Sequence, residues 1–311
     1  MNLAPVILFV YNRLHTARAA IESLQNSPLA AHTRLVIYSD GSRGDIDAVQ
    51  VQRVRKYIHS IRGFASVQIV ESEENKGLAA SIIRGVGECL QTYGSVIVIE
   101  DDLLVSNNFL AFMNSALTFY QKDPQVLSIA GYTAPVKNSS RDVYFTLRAS
   151  SWGWATWRDR WIGIDWQADD IYTFLKNRKA TREFNRMGSD LTQMLKQYHR
   201  GRINSWAIRW VYHQFKNQLY TVYPTISKVR NIGIGPDATH TKEIFDRFHT
   251  PLDRSGRQEF SFEAEVGLDP TMLRDFLRPF SLQTRLKYKV MNLVAKAGSP
   301  ILPITTGNKN Y

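Results

Sequence analysis

Apolar residues alternate between two textures along the first 130 positions. Short runs of strand character stand at Val6–Tyr11, Leu35–Tyr38, Val67–Val70, Val96–Ile99 and Val126–Ala130, each bounded by polar or turn-forming residues. Between them, apolar residues recur three and four apart in Ala17–Leu24, Val49–Ile61, Leu78–Leu90 and Phe109–Tyr120, the spacing of one helix face. Strand, helix, strand in this order predicts right-handed crossovers and an α/β fold with a mostly parallel sheet flanked by helices. Ligands collect at the carboxyl ends of such strands. The residues that follow each run are therefore the first candidates for chemistry: Asn12 and Arg13; Ser39, Asp40 and Gly41; Glu74, Asn75, Lys76 and Gly77; and Glu100, Asp101 and Asp102.

After Gly131 the alternation fails. A loop from Pro135 to Asp142 leads to a strand at Val143–Leu147, then to SSWGWATWRDRW, then to polar helical stretches between Asp170 and Lys216. A further strand at Leu219–Tyr223 ends at Pro224 and precedes the Gly-rich NIGIGPDATHT. Residues 274–296 carry six Lys or Arg against Asp275 alone, with Leu282, Leu286, Val290, Leu293 and Val294 spaced for one helix face. Such a segment suits a helix on an anionic membrane surface, or a helix packed on the domain with a solvated basic face.

With 311 residues, 44% apolar and 22% charged, the chain can bury a large core. A single cysteine, Cys89, excludes an internal disulfide and a thiolate metal cluster and points to a reducing, cytoplasmic setting. No apolar run reaches the roughly 18 residues that span a bilayer, and APVILFVY is too short for a signal peptide. The net charge of +11 favours anionic partners. The basic residues are spread along the chain and match no nucleic-acid module, so phosphate-bearing small molecules and an anionic membrane face are expected instead.

The stretch SVIVIEDDLLVS drives an apolar run into three consecutive acids, Glu100, Asp101 and Asp102. Crowded carboxylates repel one another and resist burial. A divalent cation would neutralise them, prefers hard oxygen ligands, and needs only one or two carboxylates if a diphosphate completes its shell. The plainer reading is that Asp101 and Asp102 favour the N-terminus of a helix beginning near Asn107. Ser39-Asp40-Gly41 is a turn signature, and its carboxylate also suits the ring N–H of uracil or a ribose hydroxyl. Asn75-Lys76-Gly77 is turn-like as well, with Gly77 opening a helix and Lys76 placed to meet phosphate. In SWGWATW, Gly153 lets backbone approach a ligand while Trp152 and Trp154 wall a sugar site; Trp157 and Trp161, four apart, read as core. Arg209, the one charge in SWAIRW, suits a phosphate or an acidic acceptor. His240 lies in the Gly-rich loop and is a further candidate for sugar contact. The histidines show no zinc spacing, no G-x-x-x-x-G-K-[ST] sequence exists, and Ala238 stands where a dinucleotide fingerprint needs its third glycine.

Together, PVILFVYNR, YSDGS, ENKGLAASI, VIVIEDDL, SWGWATW and NIGIGPDATH resemble the GT-A glycosyltransferases from Pro5 to about His240. The resemblance is greatest to the N-acetylglucosaminyltransferase of N-glycan maturation and to bacterial sugar transferases related to it. It implies that Asp102 contacts a manganese or magnesium ion holding the diphosphate of a nucleotide sugar, that Asp40 contacts uracil, and that Arg13 lies near the nucleotide. Asn12, Asn75, Lys76, Gly77, Glu100 and Asp101 would line the rest of the nucleotide site. The relative's general base lies in a Trp-Asp-Asp-Trp run whose counterpart here is Trp206 to Trp210, and Ala207 occupies the matching position. Asp237 is the replacement candidate, with Asp101 as a second catalytic carboxylate.

The expectation is a metal-dependent hexosyl- or N-acetylhexosaminyltransferase of polysaccharide biosynthesis. It would move a sugar from a UDP-sugar to a glycan or glycolipid hydroxyl with inversion, in the cytoplasm or on the inner face of its membrane. Residues 1–130 would form the nucleotide-sugar half, 131–273 the acceptor-side half of the same domain, and 274–311 a basic amphipathic segment. A catalytically degenerate GT-A-like protein that only binds glycan or membrane is the alternative that Ala207 motivates. Nucleotidyl transfer to a sugar phosphate ranks lower, because Tyr11-Asn12-Arg13-Leu14 is not the Gly-rich loop that chemistry needs after the first strand.

Overall fold

A computed structural model describes residues 3–137, 140–233 and 244–298. Strand β1 (Val6–Val10) is buried along its whole length, and its side chains alternate between two core layers. Val6, Leu8 and Val10 face one layer, and Ile7 and Phe9 the other. A strand buried on both faces must lie inside a sheet covered on each side by helices. The chain continues through α1 (Leu14–Gln25), β2 (Arg34–Ser39), α2 (Asp45–Ile58), β3 (Ser66–Glu71), α3 (Leu78–Thr92), β4 (Ser95–Glu100), β5 (Leu103–Val105), α4 (Phe109–Tyr120) and β6 (Val126–Ala130). Helices α1, α2 and α4 pack with the Val6 layer, and α3 with the Ile7 layer.

Beyond residue 131 come β7 (Val143–Thr146), β8 (Trp154–Trp157), α5 (Arg158–Ile162), α6 (Ile171–Lys176), α7 (Arg178–Phe184), α8 (Leu191–His199) and α9 (Trp206–Lys216). They are followed by β9 (Tyr220–Pro224), β10 (Val229–Asn231), α10 (Pro270–Leu277) and α11 (Leu282–Gly298). The main sheet runs β3-β2-β1-β4-β8-β6-β9-β7, and β5 pairs with β10 in a small second sheet. Within the main sheet only β8 and β7 run against their neighbours. The α/β architecture expected from the alternation is therefore present, with a mostly parallel sheet. Strand order reverses between β1 and β4, which opens a crevice at their carboxyl ends.

Four details differ from the sequence expectation. Only the WATW half of SWGWATW forms β8, an interior strand between β4 and β6. Trp154 is 1% exposed and stacks with Trp161, Trp206 and Trp210 in the core, so it is not part of a sugar site. The period-2 pattern of the strand explains this, because Trp154 faces the α9 layer and Trp157 the α4 layer. Trp157 and Trp161 are both core residues, but in opposite layers rather than side by side on one helix. Gly153 is required by packing, since it has φ +58° and a Cβ there would come within 2.6 Å of Val229 Cγ2. Finally, the basic segment from 274 is two helices, interrupted by a short 3-10 turn at Arg278–Phe280. Pro279 has no N–H to donate, and the Ser281 hydroxyl, accepting from Thr284 N–H, starts α11 afresh.

An irregular strap around residues 248–266 is tied to the segment that enters β10 by a buried ion pair between Lys228 Nζ and Asp253 Oδ2. Asp253 also accepts from Asn108 Nδ2 at 3.0 Å and from Ser255 N–H, while Lys228 sits 4.8 Å over the Phe260 ring. Lys228 and these N–H donors hold the Asp253 carboxyl down at about 2, against the upward push of burial. The stabilisation is complete above the ordinary carboxylate range near pH 4 and is lost as pH falls toward about 2. Asp253→Ala should cost about 3–5 kcal/mol at neutral pH, because it leaves Lys228 buried and unpaired. Chemical denaturation measures this, and a loss below about 1 kcal/mol, the range of exposed pairs, would show that the strap is held by its phenylalanines alone.

Candidate active site

The four strand ends singled out from the sequence are brought to one edge, because β3, β2, β1 and β4 are adjacent and parallel. At the β1/β4 crevice, Arg13 Nη2 donates to Asp101 Oδ1 at 2.5 Å and to Asp102 Oδ2 at 3.0 Å. Asp101 Oδ2 also accepts from the Tyr11 N–H at 3.2 Å. Two consecutive acids reach one guanidinium because the chain leaves the strand at Glu100 and turns, which breaks the alternation of faces. Asp101 is 4% exposed, so it does not present itself to a ligand as a catalytic or nucleotide-binding group. It fixes Arg13 from below.

The charge at this point is unbalanced. Three carboxylates face one guanidinium, and the pKa values register the surplus. Burial, with Asp102 and Asp101 beside it, pushes Glu100 well above the ordinary carboxylate range. Burial also raises Asp101 to about 6, despite the opposing pull of Arg13. Among the described residues no three His, Cys, Asp or Glu side chains are grouped to hold a metal by themselves. A divalent ion that borrows oxygens from a diphosphate needs fewer protein ligands, and here it finds hard carboxylate oxygens and excess negative charge. The residues fit such an ion at Asp102, where it would compete with Arg13 for Oδ2. The backbone also closes on this side chain: Ile232 N–H donates to Asp102 O at 2.8 Å, and a Cβ on Gly233 would lie 2.2 Å from Asp102 Oδ2. Gly233 is therefore required by close approach.

At the neighbouring ends, the Asp40 carboxylate is engaged by backbone amides. Its Oδ1 accepts from Gly41 N–H at 3.0 Å and Lys76 N–H at 2.9 Å, and its Oδ2 from Gly77 N–H at 2.9 Å. The amides at the start of α3 are filled by the protein's own carboxylate. Asn75 Nδ2 donates to Gly41 O at 2.7 Å and fastens the two loops together. Beside them lies an open cavity of about 370 Å³ lined by Tyr38, Asp40, Glu71, Glu74, Lys76 and Arg84. The Lys76 side chain is exposed on its rim.

Further along the edge, Gly131 N–H donates to Gly153 O at 2.6 Å, which sets Trp152 beyond the end of β6. Trp152 is half-buried, with its ring against Tyr132 and Phe248. Arg209 is not on this edge. It is 7% exposed in α9 and donates to Ser205 O, Trp166 O and Asn204 Oδ1, so its guanidinium is spent on holding loops to the helix. Asp237 and His240 lie outside the described residues.

Sequence reasoning missed two supports. Arg55, in the last turn of α2, donates to Ser39 Oγ, Asp40 O and Ser72 O and pairs with Glu71, joining the ends of β2 and β3. Asp47 accepts from the Tyr11 hydroxyl, and Asp47 Oδ1 also takes the Arg43 N–H at 2.9 Å. The signal for Arg55 was its place on the apolar face of α2, one residue from Val54 and four from Val51; no local pattern marked Asp47.

The family profile for Glycosyl transferase family 2 matches residues 6–189. No curated protein matches the chain. Among solved structures, the chain is similar to the mannosyltransferase PcManGT from Pyrobaculum calidifontis in complex with GDP-Man and Mn2+, at 19% identity and TM-score 0.36, over 56% of this chain and 54% of that one. It is similar to S. aureus TarS 1-349 in complex with UDP at 13% identity and TM-score 0.28, over 44% and 37%. Its similarity to mouse xyloside xylosyltransferase 1, apo form, is 8% identity with TM-score 0.36, over 69% and 82%. The chain thus spans about half the length of PcManGT and less than half of TarS 1-349.

The raised pKa of Asp101 fixes a pH signature. Folded, the carboxyl titrates near 6, and unfolded it titrates near 4, so the folded chain holds more protons between the two. Its ionisation therefore weakens the fold as pH rises from about 4 to about 6. The melting temperature of Asp101→Asn relative to the parent should rise across this interval and level off above it; a difference independent of pH would contradict the burial of a strained carboxylate.

Proposed function

Since the chain belongs to glycosyl transferase family 2, we propose that it moves a sugar from a nucleotide diphosphate sugar, a UDP-sugar in the first instance, to a hydroxyl of a glycan or glycolipid acceptor, with inversion. The observation that carries this reading is the meeting of Arg13 with Asp101 and Asp102 at the β1/β4 crevice, the point where an open α/β sheet receives a ligand. The adjoining cavity at the ends of β2 and β3 has room for a base and ribose. Asp40 shapes that cavity by holding the loop at Lys76 and Gly77, and the Lys76 ammonium on its rim is available to a phosphate.

A manganese or magnesium ion at Asp102 would supply Lewis-acid stabilisation of the departing diphosphate. The chain's own part is to position the groups around it. Asp101 and the Tyr11 amide hold the carboxylate edge and Arg13 in place, so that a guanidinium stands ready beside developing phosphate charge at no cost in reorganisation. Trp152 offers a flat apolar face on the side where the sugar would lie. The Ala207 position on α9 is partly buried against the core and supplies no base, which is what favours a binding-only relative as the second reading.

Calorimetry with a panel of nucleoside diphosphates, with and without manganese, separates these readings when paired with turnover of the matching sugar donors. UDP should bind only with the cation, and Asp102→Ala should lower that affinity by at least about 100-fold. Undiminished binding without metal would reject the donor site as described, and cation-dependent UDP binding with no hydrolysis or transfer from any donor would favour the binding-only reading.

A further inference from the structure

Helix α11 is mounted inside out. Its exposed side chains include Leu282 at 61%, Leu286 at 54%, Val290 at 58%, Leu293 at 59% and Val294 at 65%. At about 100° per residue these five fall within an arc of about 120°. The opposite arc, which meets the protein, contains Ser281, Thr284, Arg285, Tyr288, Met291 and Asn292. A helix docked to bury apolar surface would be turned the other way.

Specific polar bonds hold this orientation. Asn292, 6% exposed, accepts from Ile244 N–H and Phe245 N–H at 2.8 Å each and donates to Phe245 O at 3.1 Å. Arg285 Nη1 donates to Ser189 Oγ at 2.9 Å. The clamp at Asn292 holds the Ile244–Phe245 segment, whose side chains are 56% and 40% exposed, against the protein-facing side of α11. Lys287 and Lys289 are exposed and fall one on each flank of that stripe at the same helical spacing, and Arg278, exposed and paired with Asp275 at 3.5 Å, stands at the turn before it.

We propose that this face docks on an anionic phospholipid surface. An apolar stripe with cations along both borders is the geometry of a helix lying in the membrane interface, with leucines in the acyl boundary and lysines at the headgroups. Charge decides against a second copy of the chain as the occupant. A two-fold contact sets a patch against itself and would bring Lys287, Lys289 and Arg278 against their own equivalents, on a chain of net charge +11. No helix among the described residues is long and apolar enough to cross a membrane, so the contact would be peripheral. The inference goes beyond the donor chemistry and does not depend on it.

The test is co-sedimentation of the full chain with vesicles of phosphatidylcholine, alone or mixed with phosphatidylglycerol. Binding should require the anionic lipid and weaken with added salt. Leu286→Ser with Leu293→Ser should reduce it by at least about tenfold, and Lys287→Gln with Lys289→Gln by about tenfold. All four positions are exposed, so melting temperature and UDP binding should stay at the parent's values, which keeps this result separate from the fate of the transferase reading. Deleting residues 299–311 should leave binding in place. Equal binding to both vesicle types, no response to the leucine substitutions, or loss of binding only on the deletion would overturn the proposal. So would a concentration-dependent dimer that the leucine substitutions abolish, since the stripe would then be a contact between copies.

Discussion

The interaction on which the site depends is the grip of one guanidinium on two consecutive carboxylates. A parallel strand that ends at the sheet's carboxyl edge delivers Glu100, Asp101 and Asp102 into a partly enclosed crevice, and their repulsion must be offset there. Arg13 comes from the end of the adjacent strand and supplies one positive charge. Burial first, and then the neighbouring acids, raises the Glu100 and Asp101 carboxyls despite the pull of Arg13. A site with surplus negative charge and hard oxygens would suit the further cation that the proposed donor chemistry calls for. The same reasoning explains why Asp101 is buried while Asp102 stands further out: one acid anchors the arginine and the other remains at the crevice.

A second constraint acts next door. The start of α3 presents backbone amides that an external phosphate could take, and Asp40 takes them instead. That choice converts two loops into one wall, with Arg55 tying the strand ends behind it. The cavity beside the wall is formed by fastening loops to each other, so its shape does not wait for a ligand.

The fold was legible in the sequence because two periodicities, 2 and 3.6, alternate cleanly through residue 130, and the strand-end rule then located the edge without further help. What failed to read out was the fate of side chains whose surroundings come from distant segments. Trp154 and Trp152 look equivalent in SWGW, but an antiparallel strand inserts the first into the sheet and leaves the second at the edge. Arg209 looked like a ligand contact because it is the one charge in SWAIRW, yet Trp166 O and Asn204 Oδ1 accept its hydrogen bonds. Asp40 was correctly placed at the edge, but its partners lie 36 and 37 residues away and no local pattern announces them. The apolar stripe of α11 was visible from spacing, whereas the side facing the protein is set by Asn292 and Ser189, which spacing does not reveal.

The most direct test of the electrostatic account is the pH dependence of folding stability in Arg13→Met, with and without manganese. With the guanidinium removed, the acids should be tolerated while protonated and costly once ionised, so the loss relative to the parent should be small near pH 5 and large near about 7.5, with manganese restoring part of it. A loss of equal size at both pH values, unaffected by the metal, would mean that Arg13 contributes packing rather than charge, and the account of the site would be wrong.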